Sequence, residues 1–335
     1  MKKINAIILA AGKGSRMKTK LSKVLHQVAG KAIVSHVVST LEQINTNELF
    51  MVVGYQGDQV REHFSESSLT FVEQTEQLGT GHAVKQVQDQ YHDYDTDVIV
   101  LAGDCPLITE ETLQCLIDAQ HETNAAATVL TTKLTDPARY GRIIRSSTGS
   151  LTGIVEAKDC DAEQLAVTEI NTGAYIFKSK LLFDCLDKIT TNNKSKEYYL
   201  TDVIAILKDQ GERVDAYCTP HSDQVLGINT RQDLATINQI LYKRNNQNFM
   251  DNGVTIIDPN TTFIDSTVTI GEDTVIYPFT CILGNTVIGK NCTISPNTFI
   301  FDSQLADDQV TNANQSIGNE NFQQKQQSAT VHQSV

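Results

Sequence analysis

Residues 9–16 read Leu-Ala-Ala-Gly-Lys-Gly-Ser-Arg, and a further cation follows at Lys23. Glycines at 12 and 14 let backbone N–H groups approach phosphate oxygens, while Lys13 and Arg16 supply neutralising charge. Two common phosphate loops are excluded by spacing. A Walker A loop requires Gly-Lys-Ser/Thr after four spacer residues, and here Gly14 separates Lys13 from Ser15. A dinucleotide fingerprint requires a small residue where Met17 stands, and a helix opening at once. A second chemical group, Asp104, ends the apolar stretch 98–102. No Ser/His/Asp nucleophile constellation is visible. The loop pattern points to binding and neutralising phosphates.

Such groups need a scaffold. Residues 6–10 form a continuous apolar run, as expected of a strand buried on both faces. Ile33, Val34, Val37, Val38, Leu41 and Ile44 recur at helical spacing. Further strands are predicted over 49–55, 69–72, 97–102 and 126–131, and helices over 81–91 and 110–120. This alternation predicts an α/β, Rossmann-like, mostly parallel sheet with helices on both faces. Ligands on such sheets bind beyond the carboxyl ends of strands, where the polar and Gly-rich segments would converge.

Beyond about residue 250 the rhythm changes. Ile264, Ile270, Ile276, Ile282, Ile288, Ile294 and Ile300 lie six residues apart, and two residues before each stands Thr, Val or Cys. Neither a helix nor an ordinary strand turns by sixes. A hexapeptide-repeat parallel β-helix does, with three short strands per coil. The expected division is an α/β domain over 1–250, a short left-handed β-helix over 251–306, and a polar, mobile tail over 307–335, where the apolar repeat stops.

Composition narrows the partners. The 335 residues carry 27 Lys+Arg and 40 Asp+Glu, a formal charge of −13. That balance argues against a protein that coats nucleic acid or an anionic membrane. Apolar runs fall far short of the ~20 residues that span a bilayer. The opening Met-Lys-Lys is followed by Asn5 and then a Gly/Lys/Arg loop, unlike a secretory signal. The seven cysteines (105, 115, 160, 185, 218, 281 and 292) include no Cys-x-x-Cys pair. They are expected to be reduced and buried, in a cytoplasmic protein.

Residues 9–16 with Leu21-Ser-Lys-Val-Leu25 resemble the signature of sugar-nucleotide pyrophosphorylases. The similarity is strongest to N-acetylglucosamine-1-phosphate uridyltransferases, the N-terminal half of bacterial bifunctional enzymes. Matching segments follow in order: Gln74-Thr-Glu-Gln-Leu-Gly-Thr-Gly-His82, Gly103-Asp-Cys-Pro-Leu107, Tyr140-Gly-Arg-Ile143, Ile154-Val-Glu-Ala-Lys-Asp159, Glu169-Ile-Asn-Thr-Gly173, Glu197-Tyr-Tyr-Leu-Thr-Asp202 and Gly227-Ile-Asn-Thr-Arg231. The resemblance covers residues 4 to about 240. It implies that Gln74, Gly79 and Thr80 read uracil, with Leu9 and Ala10 lining the nucleoside. Ala11, Gly12, Gly14 and Gln77 complete that substrate-binding set. It implies that Lys13 and Arg16 clamp the triphosphate and that Lys23 holds the sugar phosphate. Asp104 and Asn229 would bind Mg²⁺, an ion that takes one or two protein oxygens and otherwise keeps water and phosphate. Gly141, Glu156 and Asn171 would contact the N-acetylglucosamine. Many relatives carry Tyr where this chain has Ala102, so any contact of that ring would be absent.

The implied reaction is attack of N-acetylglucosamine-1-phosphate on the α-phosphorus of UTP, giving UDP-N-acetylglucosamine and pyrophosphate for cell-wall precursors. The nucleophile is already anionic, so no general base is required. Other sugar-phosphate or nucleotide substrates, and a non-catalytic sugar-nucleotide sensor, stay open as alternatives. Full relatives add an acetyltransferase site far along a longer β-helix. His332 lacks that site's flanking motif, so acetyl transfer is expected to be absent. Relatives pack three β-helices side by side, and for this chain both a monomer and a trimer remain open.

Overall fold

The computed structural model describes residues 3–318. Two compact units divide at Arg231 rather than near residue 250. One holds residues 3–26 and 33–231, and the other Gln27–Ala32 with the chain from Gln232 onward. Among the described residues no helix is long and apolar enough to cross a membrane.

The first unit is built on a nine-stranded sheet: β1 (Ile4–Leu9), β2 (Leu49–Val53), β3 (Thr70–Glu73), β4 (Asp97–Ala102), β5 (Ala127–Lys133), β6 (Arg142–Arg145), β7 (Leu151–Val155), β8 (Glu169–Lys178) and β9 (Val214–Cys218). Its main order is β9-β5-β8-β4-β1-β2-β3, and all neighbours are parallel except β8, which runs antiparallel to both β4 and β5. The apolar run of β1 is explained by burial on both faces. Ile7 joins one core with Phe50, Val98 and Phe177, while Ala6 and Ile8 join the other with Met51 and Ile99. Alternate side chains of a strand point to opposite faces, so one strand can serve two cores.

Helix α1 (Ile33–Gln43) buries Ile33, Val34, Val37, Val38 and Leu41, the face that its spacing predicts. Helix α3 (Glu110–Thr123) starts at Thr109, whose hydroxyl accepts from the Thr112 N–H, and stops at Asn124 in the left-handed conformation. The predicted helix over 81–91 is shorter: α2 spans Thr80–Lys85, and a single 3₁₀ turn follows at Gln88–Gln90.

In the second unit the six-residue repeat is a parallel β-helix. Its three faces are formed by 256/276/294, 264/282/300/317 and 270/288/305. The repeat isoleucines point inward, with Ile264, Ile276, Ile282, Ile294 and Ile300 all at 0% exposure. The threonines two positions earlier are buried at the corners. The hydroxyls of Thr280, Thr286 and Thr298 donate to the carbonyls of Tyr277, Leu283 and Ser295. These bonds tie each buried hydroxyl to the backbone of its own corner, so that no hydroxyl among them is left unpaired. Helix α4 (Arg231–Asp251) brings Phe249 and Met250 against this core, and Asn246 donates to the carbonyls of Pro259 and Thr262.

The coils continue past residue 306. Ile288 pairs with Leu305, and Ile300 with Ile317, at a spacing one residue shorter than the earlier eighteen. That slip moves the inward positions to Leu305, Thr311 and Ile317, which hides them from a strict period of six. The remainder of the expected tail, with His332, lies outside the described residues. All seven cysteines are free, but their burial differs from expectation: Cys185 and Cys292 are buried, whereas Cys115 and Cys218 are exposed. Cys115 lies on the outward face of the helix over Glu110–Thr123, between the buried pairs Thr112/Leu113 and Leu116/Ile117, and Cys218 is the exposed last residue of β9.

At Gly271 and Gly289 the backbone of the next coil comes too close to admit a side chain. A Cβ on Gly271 would stand 2.6 Å from the Lys290 nitrogen and 2.7 Å from the Gly289 carbonyl carbon. Both atoms are backbone and cannot swing aside. Gly271→Ala is therefore expected to destabilise the β-helix by about 1–3 kcal/mol. Thermal denaturation followed by circular dichroism checks this, and an unchanged midpoint contradicts the stacking argument.

Candidate active site

Leu9 ends β1 and is the register partner of Ala102 at the end of β4. The Gly-rich loop and the Gly103-Asp104 turn therefore leave the sheet side by side. Gly14 has a φ of +55°, and a Cβ there would stand 2.6 Å from the Lys23 Cβ. The glycine admits both the left-handed turn and the stem of Lys23 against the loop. Lys23 Nζ forms an ion pair with Asp104 Oδ2 and lies 3.4 Å from Asn229 Oδ1. Arg16 Nη2 donates to the same Asn229 oxygen at 3.0 Å. The Ile228 N–H donates to the Asp104 carbonyl at 2.9 Å, which fixes the 227–229 segment beside the carboxylate. The Lys23 and Asp104 side chains are only 14% and 18% exposed. Next to them, burial and the Asp104 carboxylate hold the Cys105 thiol well above its usual range, so it stays a neutral donor.

The donor set bears on a metal. Among the described residues no group of three or more His, Cys, Asp or Glu could hold one. Asp104 and Asn229 instead offer two oxygens that both face one cationic position, held by the Lys23 ammonium. Two such oxygens fit a hard divalent ion that keeps water and phosphate in its remaining positions.

A cavity of about 290 Å³ opens over this cluster. Leu9, Ala10, Ala11, Gly12, Lys23, Gln74, Gln77, Gly79, Thr80, Ala102, Asp104 and Glu197 line it. Its far wall is zipped by backbone: Tyr198 N–H donates to the Leu78 carbonyl, and Gly81 N–H to the Tyr198 carbonyl, each at 2.8 Å. Gly79 sits at φ +122°, where a Cβ would stand 2.5 Å from the Tyr198 carbonyl oxygen, so only glycine fits the zipper. Gln74 is 3% exposed, and its side-chain Nε2 donates to the Gly79 carbonyl at 3.1 Å and faces His82 Nδ1 at 2.9 Å. Lys13 and Arg16 do not line this cavity. Lys13 is exposed on the loop, and Arg16 reaches the cluster through Asn229.

Gly141, Glu156 and Asn171 form a second cluster rather than a wall of that cavity. A Cβ on Gly141 would lie 3.5 Å from both the Asn171 Cβ and Glu156 Oε2. The Thr201 hydroxyl donates to Glu156 Oε1 at 3.4 Å, and Asn171 Nδ2 to the Tyr175 hydroxyl at 2.7 Å. Burial raises the Glu156 carboxyl above the ordinary range, against the Thr201 hydrogen bond, with Asp159, Asp202 and Glu197 adding to the rise. Sequence reasoning assigned no role to Glu197, Thr201, Tyr175 or His82. The first two lie in the Glu-Tyr-Tyr-Leu-Thr-Asp run, and that run is the strap whose Glu197 lines the cavity and whose Thr201 meets Glu156.

Comparison with known proteins agrees with this architecture. Residues 6–167 match the MobA-like NTP transferase domain family, and residues 267–302 match the bacterial transferase hexapeptide (six repeats) family. The bifunctional protein GlmU of Enterococcus faecalis is 47% identical over 305 residues, covering 91% of this chain and 66% of the relative. That of Exiguobacterium sibiricum is 46% identical over 305 residues, covering 91% and 68%. That of Clostridioides difficile is 45% identical over 302 residues, covering 90% and 65%. The chain thus spans about two thirds of the length of these curated relatives. A solved UDP-glucose pyrophosphorylase complexed with UDP-glucose shares the fold, with a TM-score of 0.60 at 17% identity, over 73% of this chain and 100% of that one. With a phosphate loop, an Asp/Asn/Lys cluster and a hexapeptide β-helix in this order, and these identities along nine tenths of its length, the chain belongs to the family of the bifunctional protein GlmU.

Proposed function

We propose that the first unit transfers a uridylyl group from UTP to N-acetylglucosamine-1-phosphate and releases pyrophosphate. The observation that carries this reading is the meeting of Lys23, Asp104 and Asn229 at the open end of β1 and β4, under a wall carrying Gln74, Gly79 and Thr80. Phosphate-binding, base-reading and hydroxyl-reading groups then follow one another as the parts of a sugar nucleotide do. The acetyl transfer of the bifunctional relatives forms no part of this proposal.

In this reading the two phosphate-bearing substrates bind with the sugar-phosphate oxygen in line with the α-phosphorus. Lys23 holds the sugar phosphate, and Lys13 and Arg16 the triphosphate. Leu9, Ala10, Ala11, Gly12 and Gly14 let the chain lie close to the nucleotide, and Gln77 steadies Gln74 by donating to its backbone carbonyl at 3.1 Å. Asp104 and Asn229 would hold Mg²⁺. Bound there, the ion would neutralise the charge that develops on the phosphates. No proton needs to leave the nucleophile, and the Asp104 carboxylate beside Lys23 is already engaged as the partner of that ammonium. Alignment and charge stabilisation supply the rate. Gly141, Glu156 and Asn171 receive the N-acetylglucosamine, whose hydroxyls and amide N–H suit a carboxylate and an amide.

Pyrophosphate release from UTP and N-acetylglucosamine-1-phosphate, with a panel of other nucleotides and sugar phosphates, tests the proposal. Binding of UDP-N-acetylglucosamine with no turnover would favour a sensor instead. Asp104→Ala is expected to lower kcat by about 100-fold or more while the fold persists. Lys23→Ala is expected to raise KM for the sugar phosphate by roughly 10- to 100-fold. Near-wild-type kinetics in either variant count against the assignment.

The raised carboxyl of Glu156 gives a pH signature. Because its folded-state value lies above the ordinary carboxylate range, Glu156 loses its charge earlier as pH falls. KM for N-acetylglucosamine-1-phosphate should therefore rise on the acid side, starting above the ordinary range, and Glu156→Gln should flatten that limb. A limb that survives the substitution unchanged assigns the titration to another group.

A further inference from the structure

The side-chain amide of Gln74 has two N–H donors and one carbonyl oxygen. Both donors are occupied on the protein side. Nε2 lies 3.1 Å from the Gly79 carbonyl oxygen and 2.9 Å from His82 Nδ1. A carbonyl oxygen can only accept, so the Gly79 contact fixes which end of the amide is nitrogen. The second contact requires that His82 Nδ1 carry a lone pair, and so that its ring proton sit on Nε2. That second nitrogen lies 3.2 Å from Gln86 Nε2, which donates to the His82 backbone carbonyl at 3.2 Å. A neutral ring accepts at one nitrogen only, and the shorter contact, from the more deeply buried amide, is the one Gln74 makes at Nδ1. What is left for the cavity is Gln74 Oε1, which takes no hydrogen bond from the described residues and belongs to a side chain that lines the cavity.

We infer that His82 is a specificity-determining positioning residue: by accepting from Gln74 it locks the amide with its oxygen toward the bound base, and so selects a base with a ring N–H over one with a ring lone pair. This rests on the proposal that Gln74 reads the base. Uracil offers a donor at N3, which Oε1 can accept. Cytosine offers a lone pair at N3, which would face Oε1 with nothing to share. If the amide turned over, Nε2 would meet cytosine well and uracil poorly, but the turned amide would set its oxygen against the Gly79 carbonyl and the His82 lone pair. Two contacts thus resist the flip, and His82 supplies the one that comes from a side chain.

His82 does not face the reacting phosphates. It lines a separate cavity with Leu78, Gln86, Ile189 and Tyr198, behind the wall that Gly79 and Thr80 present to the active site. Its effect therefore belongs in nucleotide binding and selectivity, with little change in kcat. A protein that recognises a substrate group by hydrogen bonding rejects analogues because its own buried polar groups would be left unpaired. A loosely held amide loses that penalty by rotating.

The test compares kcat/KM for UTP and CTP, by pyrophosphate release with N-acetylglucosamine-1-phosphate, in the full chain. Three substitutions are used: His82→Leu and His82→Phe, which both remove the acceptor, and His82→Asn, whose side-chain oxygen can replace Nδ1. The acceptor-free variants should lower the UTP/CTP ratio by about tenfold or more, mainly through KM. His82→Asn should restore most of it, and dTTP, which has the same ring N–H, should follow UTP. Acceptor-free variants that fold and keep the wild-type ratio overturn the inference, as does an Asn variant no more selective than Leu and Phe. Gln74→Leu separates the two layers. If it collapses the ratio while the His82 variants do not, only the role of His82 fails. If it leaves the ratio unchanged, the base reading itself fails.

Discussion

Lys23 and Asp104 hold opposite charges against each other at the open ends of two neighbouring strands, and the rest of the site is organised around that pair. Both side chains are largely withdrawn from water, where either charge alone would be costly. The pair exists because β1 and β4 share register, so that their loops emerge together. It also requires Gly14, because any side chain there would occupy the path of the Lys23 stem. Asn229 joins through its oxygen, and Arg16 follows Asn229. A change at any of these positions moves the others, so the cluster acts as one preorganised unit rather than as four separate surface groups.

The strap over 197–202 is the second organising element. Its backbone is zipped to residues 78–81, and Leu200 N–H donates to the Thr80 hydroxyl at 3.0 Å. One end carries Glu197 to the phosphate cavity, and the other carries Thr201 to Glu156. The same hydrogen bonds therefore set the position of the wall that carries Gly79 and Thr80 and the environment of the Glu156 carboxylate. Burial makes Glu156 a reluctant anion, which is the state in which a carboxylate gains most from a hydrogen-bond donor brought by a ligand.

Parts of this architecture are plain in the residues, and parts are not, for physical reasons. Strand β1 is legible because it is buried on both faces and so reads as one apolar run. Helix α1 is legible because one face alone is apolar. The hairpin of β6 and β7 is not, since its residues are short, mixed and only partly buried. The six-residue rhythm reveals the β-helix until one residue drops out before Leu305, after which period counting fails although inward packing continues at Ile317. The resemblance gathered Asp104, Asn229 and Lys23 as a group, and the structure supplies what it omits: which atom faces which. His82 illustrates the limit. Its importance depends on a 2.9 Å contact to an amide eight residues away, and no spacing rule distinguishes that from a histidine turned to solvent.

The formal charge of −13 bears on how the site divides its work. At physiological ionic strength charges beyond about 8 Å are largely screened, so a few cations in one cleft can outweigh the acidic surface around them. Positive charge attracts every nucleotide and every sugar phosphate alike, because all carry the same phosphate anions. Discrimination must then come from groups that carry no full charge, or carry one reluctantly. In the proposed reading Gln74 would offer an oriented dipole to the base, and Glu156 with Asn171 a buried carboxylate and an amide to the sugar. These are the groups whose orientation is fixed by neighbours such as the Gly79 carbonyl, His82 and Thr201. Affinity for phosphate can therefore be written in loop composition, whereas selectivity has to be written in second contacts, where a hydrogen-bond direction decides what the site accepts.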